Sequence, residues 1–172
     1  MITTDRYDTA PIMVNSKPQE RKAAMIKEGI KITGRAKIEL FGPDGRLKDV
    51  REISNLVVTV GLNHIADQMS DQGEDAMSHA AIGTGTTAAA AGNTTLETEL
   101  DRNALTSKTQ SDNKVTYIAD WAAGDGTGAI TEAGIFNADA AGTLLSRIVF
   151  AAVNKLANDV LRITWEHTYS AA

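Results

Sequence analysis

The sequence predicts an all-β fold: an antiparallel β-sandwich or jelly roll with one short helix, preceded by an extended N-terminal arm and a second short helix. Three observations predict it. Apolar and polar residues alternate with period two in short segments from Ile30 to Tyr169, the pattern of strands with one buried face. Turn-forming clusters of Gly, Asn, Asp and Ser separate those segments at short intervals. Composition agrees: of 172 residues, 59 are Ala, Thr or Gly and only eight are aromatic, which favours closely packed sheets over thick aromatic layers. The length suits one domain with an arm, so we place an arm with a short helix at 1–29 and a β-sandwich body at 30–172.

Residues 1–15 mix Pro, Thr, Asp and Asn with one apolar patch, Pro11-Ile12-Met13-Val14, and carry neither helical nor strand period; they read as an extended arm. Ser16 can cap a helix over 17–28, with Pro18 in its first turn, Gln19 placed as in a capping box and Gly29 as a stop. The apolar residues of that helix are few (Ala23, Ala24, Met25, Ile26), so it belongs on a surface or at a subunit contact. Strand character starts at Ile30, where Ile30, Ile32, Ala36, Ile38 and Leu40 alternate with charged and polar neighbours, Gly34 interrupting the apolar side. Gly42-Pro43-Asp44-Gly45 turns the chain into a second strand over 46–53.

Leu56 to Val60 reads as a buried strand, and Leu62, Ile65, Ala66 and Met69 then recur at helical spacing before a polar loop over 71–75. Further strands are expected at 80–83, 104–109, 114–121, 130–136, 143–151 and 159–169. Val115, Tyr117, Ala119 and Trp121 share one face; Leu161, Ile163, Trp165, His167 and Tyr169 share another. Thr94 and Glu97 are spaced to cap a single helical turn.

Charge is uneven. The net charge is −5, yet residues 1–53 carry eleven Lys or Arg against eight Asp or Glu, while residues 54–172 carry six against fourteen. From Lys17 to Lys37 seven basic residues face two acidic ones. This basic segment lacks the interleaved aromatics of a nucleic-acid binder and precedes a body that would repel phosphate, so its expected partner is an acidic protein surface, another copy of the chain included. A solvated segment without a partner is the plainer alternative. No stretch reaches the roughly 20 apolar residues of a membrane span, and the first residues carry charge where a signal peptide would be apolar. A soluble protein made in the cytosol is expected. There is no cysteine, which excludes disulfides, thiolate zinc sites and thiol nucleophiles together.

Chemical motifs are sparse. Gly83-Thr84-Gly85-Thr86-Thr87-Ala88 fits a loose dinucleotide pattern, but an Ala run and Gly92 follow where a crossover helix is needed, so an inter-strand loop is expected instead. His64, His79 and His167 show no metal-ligand spacing, and His167 falls on an apolar strand face, where a hydrogen-bonded structural role is expected. Asp120, Asp125 and Asp139 lie near glycine-rich turns without calcium-loop spacing; a bound calcium stays open as an alternative. No serine sits in a G-x-S-x-G elbow, and Glu97 and Glu99 read as solvent-facing acids. No catalytic, cofactor-binding or metal residue is therefore assigned, and the chain is read as no enzyme.

Several blocks carry a resemblance. Asn55-Leu56-Val57-Val58-Thr59-Val60-Gly61, Ala81-Ile82-Gly83-Thr84-Gly85-Thr86-Thr87, Leu96-Glu97-Thr98-Glu99-Leu100, Thr131-Glu132-Ala133-Gly134-Ile135-Phe136, Val153-Asn154-Lys155 and Asp159-Val160-Leu161-Arg162-Ile163-Thr164-Trp165 occur in this order. They resemble a family of tailed-bacteriophage virion structural proteins, variously head-decoration or tail-fibre-like. The resemblance covers most of 30–170 and leaves out the first 29 residues. It implies assembly rather than catalysis: a homo-oligomeric capsid decoration (cement) protein on the outer surface of the head, bound to the major capsid protein, with no nucleic acid, membrane or cofactor. A tail fibre, neck or tail adaptor component is the alternative, and a carbohydrate-binding module a remoter one. A fibre needs a long repetitive shaft, and the chain shows neither heptads nor a β-repeat. About 15 extended arm residues reach roughly 50 Å, enough to touch a neighbour. The expected assembly contacts are Arg6, Tyr7, Ile12, Met13, Val14, Arg21 and Lys22.

Overall fold

The computed structural model describes residues 29–172. The extended arm over 1–15, the helix over 17–28 and all seven expected contact residues lie outside the described residues. The body is an antiparallel β-sandwich of two five-stranded sheets. In chain order the elements are β1 (Ile30–Phe41), β2 (Leu47–Ser54), β3 (Leu56–Val57), α1 (Thr59–Ser70), β4 (His79–Gly83), β5 (Glu99–Ala104), β6 (Ser107–Ser111), β7 (Lys114–Trp121), β8 (Gly128–Phe136), β9 (Leu144–Lys155) and β10 (Val160–Ala171). The first sheet is ordered β2-β1-β10-β7-β6 and the second β3-β9-β8-β4-β5. Among the described residues no helix is long and apolar enough to cross a membrane.

The β1–β2 hairpin forms where the turn chemistry demands it. Gly45 takes a φ of +75° and its N–H bonds the Gly42 carbonyl at 2.9 Å, the left-handed position that glycine fills without strain. Asp112 and Asn113 close the β6–β7 hairpin, Asp112 at φ +52°.

On both sides of the sandwich the chain passes from one sheet to the other. After pairing with β1, the chain keeps the ladder through Asn55 N–H to the Gly34 carbonyl at 3.1 Å, then pairs with β9 as β3. On the other side, Leu105 N–H bonds the Ser78 carbonyl at 2.8 Å and Thr106 N–H the Ile118 carbonyl at 2.7 Å, so the chain leaves β4 and joins β7 without a break. The two sheets stay separate, with β2 and β6 at the edges of the first and β3 and β5 at the edges of the second, and the chain crosses between them at these corners. This geometry corrects the strand expected over 104–109: it is two strands, β5 and β6, with Leu105 and Thr106 at the corner between them. Glu99–Ala104 carries no apolar alternation, being held by β4 rather than by a buried face.

The expected strand from Leu56 to Val60 is also corrected, since only Leu56–Val57 is strand and α1 already starts at Thr59. The turn into helix is tight because Gly61 lies against β9, where a Cβ would stand 2.2 Å from the Leu145 carbonyl oxygen. Its buried residues are Gly61 and His64; Leu62 and Met69 of the expected apolar face are exposed. The single helical turn expected at Thr94 does not form.

The core lies between the sheets and is built on Trp121, Trp165, Ile38, Ile82, Ile130 and Ile163, all fully enclosed. The two apolar faces expected to be separate are one: Leu161 pairs with Trp121, Ile163 with Ala119, Trp165 with Tyr117 and His167 with Val115, so β7 and β10 present these residues side by side on the inward face of the first sheet. A smaller cluster of Val58, Ala81, Leu96, Phe136 and Leu144 packs on the outer face of the second sheet, beneath the segment joining β4 to β5.

Candidate functional site

Three buried polar arrangements and one open groove are the places where this body could do chemistry or binding. The first lies under the segment over 84–98. Glu132 is wholly enclosed, and its carboxylate accepts N–H bonds from Gly85 at 3.0 Å, Glu97 at 3.0 Å and Thr98 at 2.7 Å. The buried Arg147 guanidinium completes the set, donating from Nε at 2.9 Å with Nη2 2.8 Å from the same oxygen. Burial pushes the Glu132 carboxyl up, but the N–H groups of Thr98 and Glu97, Arg147 and the Gly85 N–H outweigh it and hold the group below the usual carboxylate range. Arg147 also donates from Nη1 to Asn93 at 3.1 Å.

This arrangement explains the Gly-x-Gly motif. A Cβ on Gly85 would stand 2.5 Å from the Glu132 carboxylate, and one on Gly83 2.3 Å from the Thr98 carbonyl oxygen. The glycines let backbone close over the protein's own carboxylate, not over a phosphate. Glu97 is exposed, as expected of a solvent-facing acid, but caps no helical turn: it accepts from the Thr87 N–H and hydroxyl at 2.7 Å each, so the loop is tied down at two places. Glu99 pairs with Arg102 at 2.6 Å.

The second arrangement joins the sheets. The Asn55 amide nitrogen donates to His167 Nε2 at 2.6 Å, and the Ser146 hydroxyl lies 3.2 Å from the same nitrogen. Ser, His and Asn together invite comparison with a nucleophilic triad, but the geometry is structural. Both partners crowd one ring nitrogen, His167 Nδ1 has no hydrogen-bond partner among the described residues, and Ser146 and His167 are completely enclosed. Burial alone pushes the imidazole down to about 4. The structural role expected for His167 is the one observed. Gly34 admits Asn55 to this node, since a Cβ there would lie within 2.0 Å of the Asn55 side-chain oxygen.

The third lies at the end of the sandwich where β9 finishes. Buried Lys155 donates to the Ala122 carbonyl at 2.8 Å, and Lys48 reaches the enclosed Asp159 at 2.7 Å. Asp120, one of the three acids near glycine-rich turns, is engaged by Arg162 at 2.7 Å and by the Thr106 hydroxyl at 2.8 Å.

The opposite end, where β1 starts and β10 finishes, is open. Ile30, Ile32, Val115 and Tyr169 from the first sheet face Leu62, Ile65 and Met69 of α1 across a groove of about 810 Å³. Three of these side chains are conspicuously exposed for their type: Ile30 at 68 %, Met69 at 77 % and Leu62 at 48 %. Asp112 lines the rim, and the exposed acids Asp71, Glu74 and Asp75 lie in the loop between the groove residues Met69 and Ala76. That loop is held by His64, whose Nδ1–H donates to Glu74 at 2.8 Å and keeps the Glu74 carboxyl below its ordinary value.

The contact residues expected from the sequence lie between 6 and 22, and neither the groove nor the Glu132–Arg147 pair is among those expectations. The signal for the groove is Ile30 and Ile32, apolar residues at the very start of a strand. No protein-family model matches the chain, and no curated protein or solved structure matches it.

Proposed function

We propose that the chain is a structural protein of a tailed-bacteriophage virion: a capsid decoration (cement) protein that bridges and stabilises major capsid protein subunits on the outer surface of the head. The observation that carries this reading is the join between a β-sandwich body and a basic segment. Twenty-eight residues precede Gly29, and the chain enters the body at Ile30, on the rim of the apolar groove. Association with neighbours falls to the faces and edge strands of the body, to its groove and to the arm. The buried Glu132, Arg147, His167 and Lys155 are each engaged in holding loops or sheets together, which supports a scaffold role.

In this reading the arm extends from the body to a second shell subunit, with Tyr7, Ile12, Met13 and Val14 supplying apolar contact and Arg6, Arg21 and Lys22 ionic contact. Each contact is weak alone. One molecule holding two subunits gains from effective concentration, and the gain repeats over the lattice. Other copies of the chain are the remaining partners. The test is co-sedimentation of the full-length protein with assembled shells and with unassembled capsid protein. Binding to shells alone is expected, lost in an Ile12→Asp/Val14→Asp variant that keeps its circular dichroism spectrum. Binding to isolated tails in place of shells would move the protein to the tail or neck.

A further inference from the structure

We propose that the edge of β2 is an interface between two copies of this chain, which pair β2 against β2 about a two-fold axis through Val50 and join their first sheets into one. This goes beyond the virion reading and stands or falls without it. The first support is the phase of the ladder. β2 is the outer strand of its sheet and pairs with β1 alone among the described residues. The Asn55 N–H bonds the Gly34 carbonyl at 3.1 Å, and the register then runs from Arg35 with Ser54 to Leu40 with Asp49, so the residues bonded to β1 are Ile53, Arg51 and Asp49. The N–H and C=O groups of Ser54, Glu52 and Val50 point away from the sheet, with no backbone partner among the described residues. Two copies of such an edge satisfy each other, each Val50 bonding the Val50 of its copy through both groups.

The second support is the strand sequence Lys48-Asp49-Val50-Arg51-Glu52, which is self-complementary about its centre. With Val50 on the axis, Asp49 lies opposite the copy's Arg51 and Lys48 opposite the copy's Glu52, and symmetry repeats both oppositions. Val50 itself, 47 % exposed, meets the same apolar side chain. Neighbouring registers fail. An axis between two residues sets an outward-facing residue against an inward-facing one and leaves the ladder unbonded. An axis on Asp49 or on Arg51 sets that charge directly against its own copy, which destabilises the pair.

The other charges along this edge agree. Lys37 of β1 stands beside Glu52, so the row Lys37, Glu52 and the copy's Lys48 alternates in sign. Asp49 is 2.9 Å from Arg51 of its own strand, and the two pairs together make a ring of four alternating charges. Lys48 is held by Asp159 at 2.7 Å, and the nearby Arg35 and Arg46 by Glu166 and Asp44. Lys48 also occupies a bulge, since β1 pairs Leu40 with Asp49 but Phe41 with Leu47, and this ends the regular ladder. A contact of one short strand is smaller than a standard interface, so the dimer is of the weak, concentration-dependent kind.

The test is sedimentation velocity of the full-length chain over a concentration series, beside Val50→Pro. Proline removes an N–H that β1 does not use, the situation in which edge strands accept it, and an unchanged circular dichroism spectrum verifies that the body is kept. The expected result is a dimer that grows in with concentration in the wild type and self-association at least about tenfold weaker in Val50→Pro. The absence of cysteine allows a second reading that needs no proline. Val50→Cys brings two thiols together on the axis, whereas Ser54→Cys, exposed on the same strand, leaves them about 27 Å apart along it. Under mild oxidation the Val50→Cys chain is expected to form disulfide-linked dimers about tenfold faster or more than Ser54→Cys. A wild type that stays monomeric throughout the series would overturn the proposal. So would a dimer untouched by Val50→Pro, or equal cross-linking rates, either of which gives self-association to another surface.

Discussion

His167 shows how a single buried group can carry a measurable consequence. Its imidazole is enclosed between the sheets and takes a proton only near pH 4, whereas in the unfolded chain it does so near 6.5. Between those values the unfolded state holds more protons, so stability is full above pH 6.5 and falls as pH drops toward 4, by about 3 kcal/mol at the limit. Urea titrations at several pH values should show this slope in the wild type and a flatter one in His167→Gln; equal slopes would mean that His167 does not titrate between the states. Its structural role was legible because His167 continues the apolar alternation of Leu161, Ile163 and Trp165. Glu132 was not legible. An acid beside Thr131 in an alternating strand reads as solvent-facing, and what buries it is a loop 34 to 47 residues away in sequence.

Among the elements, the segment over 84–98 departs furthest from what local sequence suggests. It has no helix or long strand, yet it covers the outer face of the second sheet, and the N–H groups of Gly85, Thr87, Glu97 and Thr98 are satisfied by Glu132 and Glu97. Glu132→Ala should therefore act on the whole segment. It strands the buried Arg147 guanidinium and frees three N–H donors, at a cost of about 3–5 kcal/mol. A fall in the urea midpoint checks this, with faster amide exchange at Gly85, Glu97 and Thr98 than elsewhere; exchange rising uniformly would contradict the local account. Arg102 secures the neighbouring turn, donating to the Ala138 and Ala141 carbonyls at 3.0 and 2.8 Å with its guanidinium 3.7 Å from the Phe136 ring centre. Local chemistry announced the hairpin at Gly42–Gly45 and the strand Lys114–Trp121, where alternation and turn residues coincide. It misread Leu56–Val60, because a run of β-branched residues looks like strand while Gly61 against the Leu145 carbonyl turns the chain into helix.

At the scale of the whole molecule, the pairing of the two sheets and the groove at one end arise from long-range contacts. The alternating segments make a sandwich legible, whereas the corner at Leu105 and Thr106 falls inside what reads as one strand over 104–109. The basic arm and acidic body were legible as charge alone; that the chain enters the body at the groove follows from the register of Ile30 with Ala171. A β-sandwich body preceded by a basic segment, with an apolar groove at the end where β1 starts, suits a component that binds in many copies to a repeating surface. The central claim is that this surface is a phage head. The measurement that tests it most directly is the copy number of the protein per purified virion, by quantitative mass spectrometry against the major capsid protein. Head decoration predicts a count on the order of hundreds, comparable to the capsid subunits that a lattice of bridges must serve. A count of about a dozen or fewer, as a tail or neck ring of closed symmetry would give, contradicts it, as does absence from the particle.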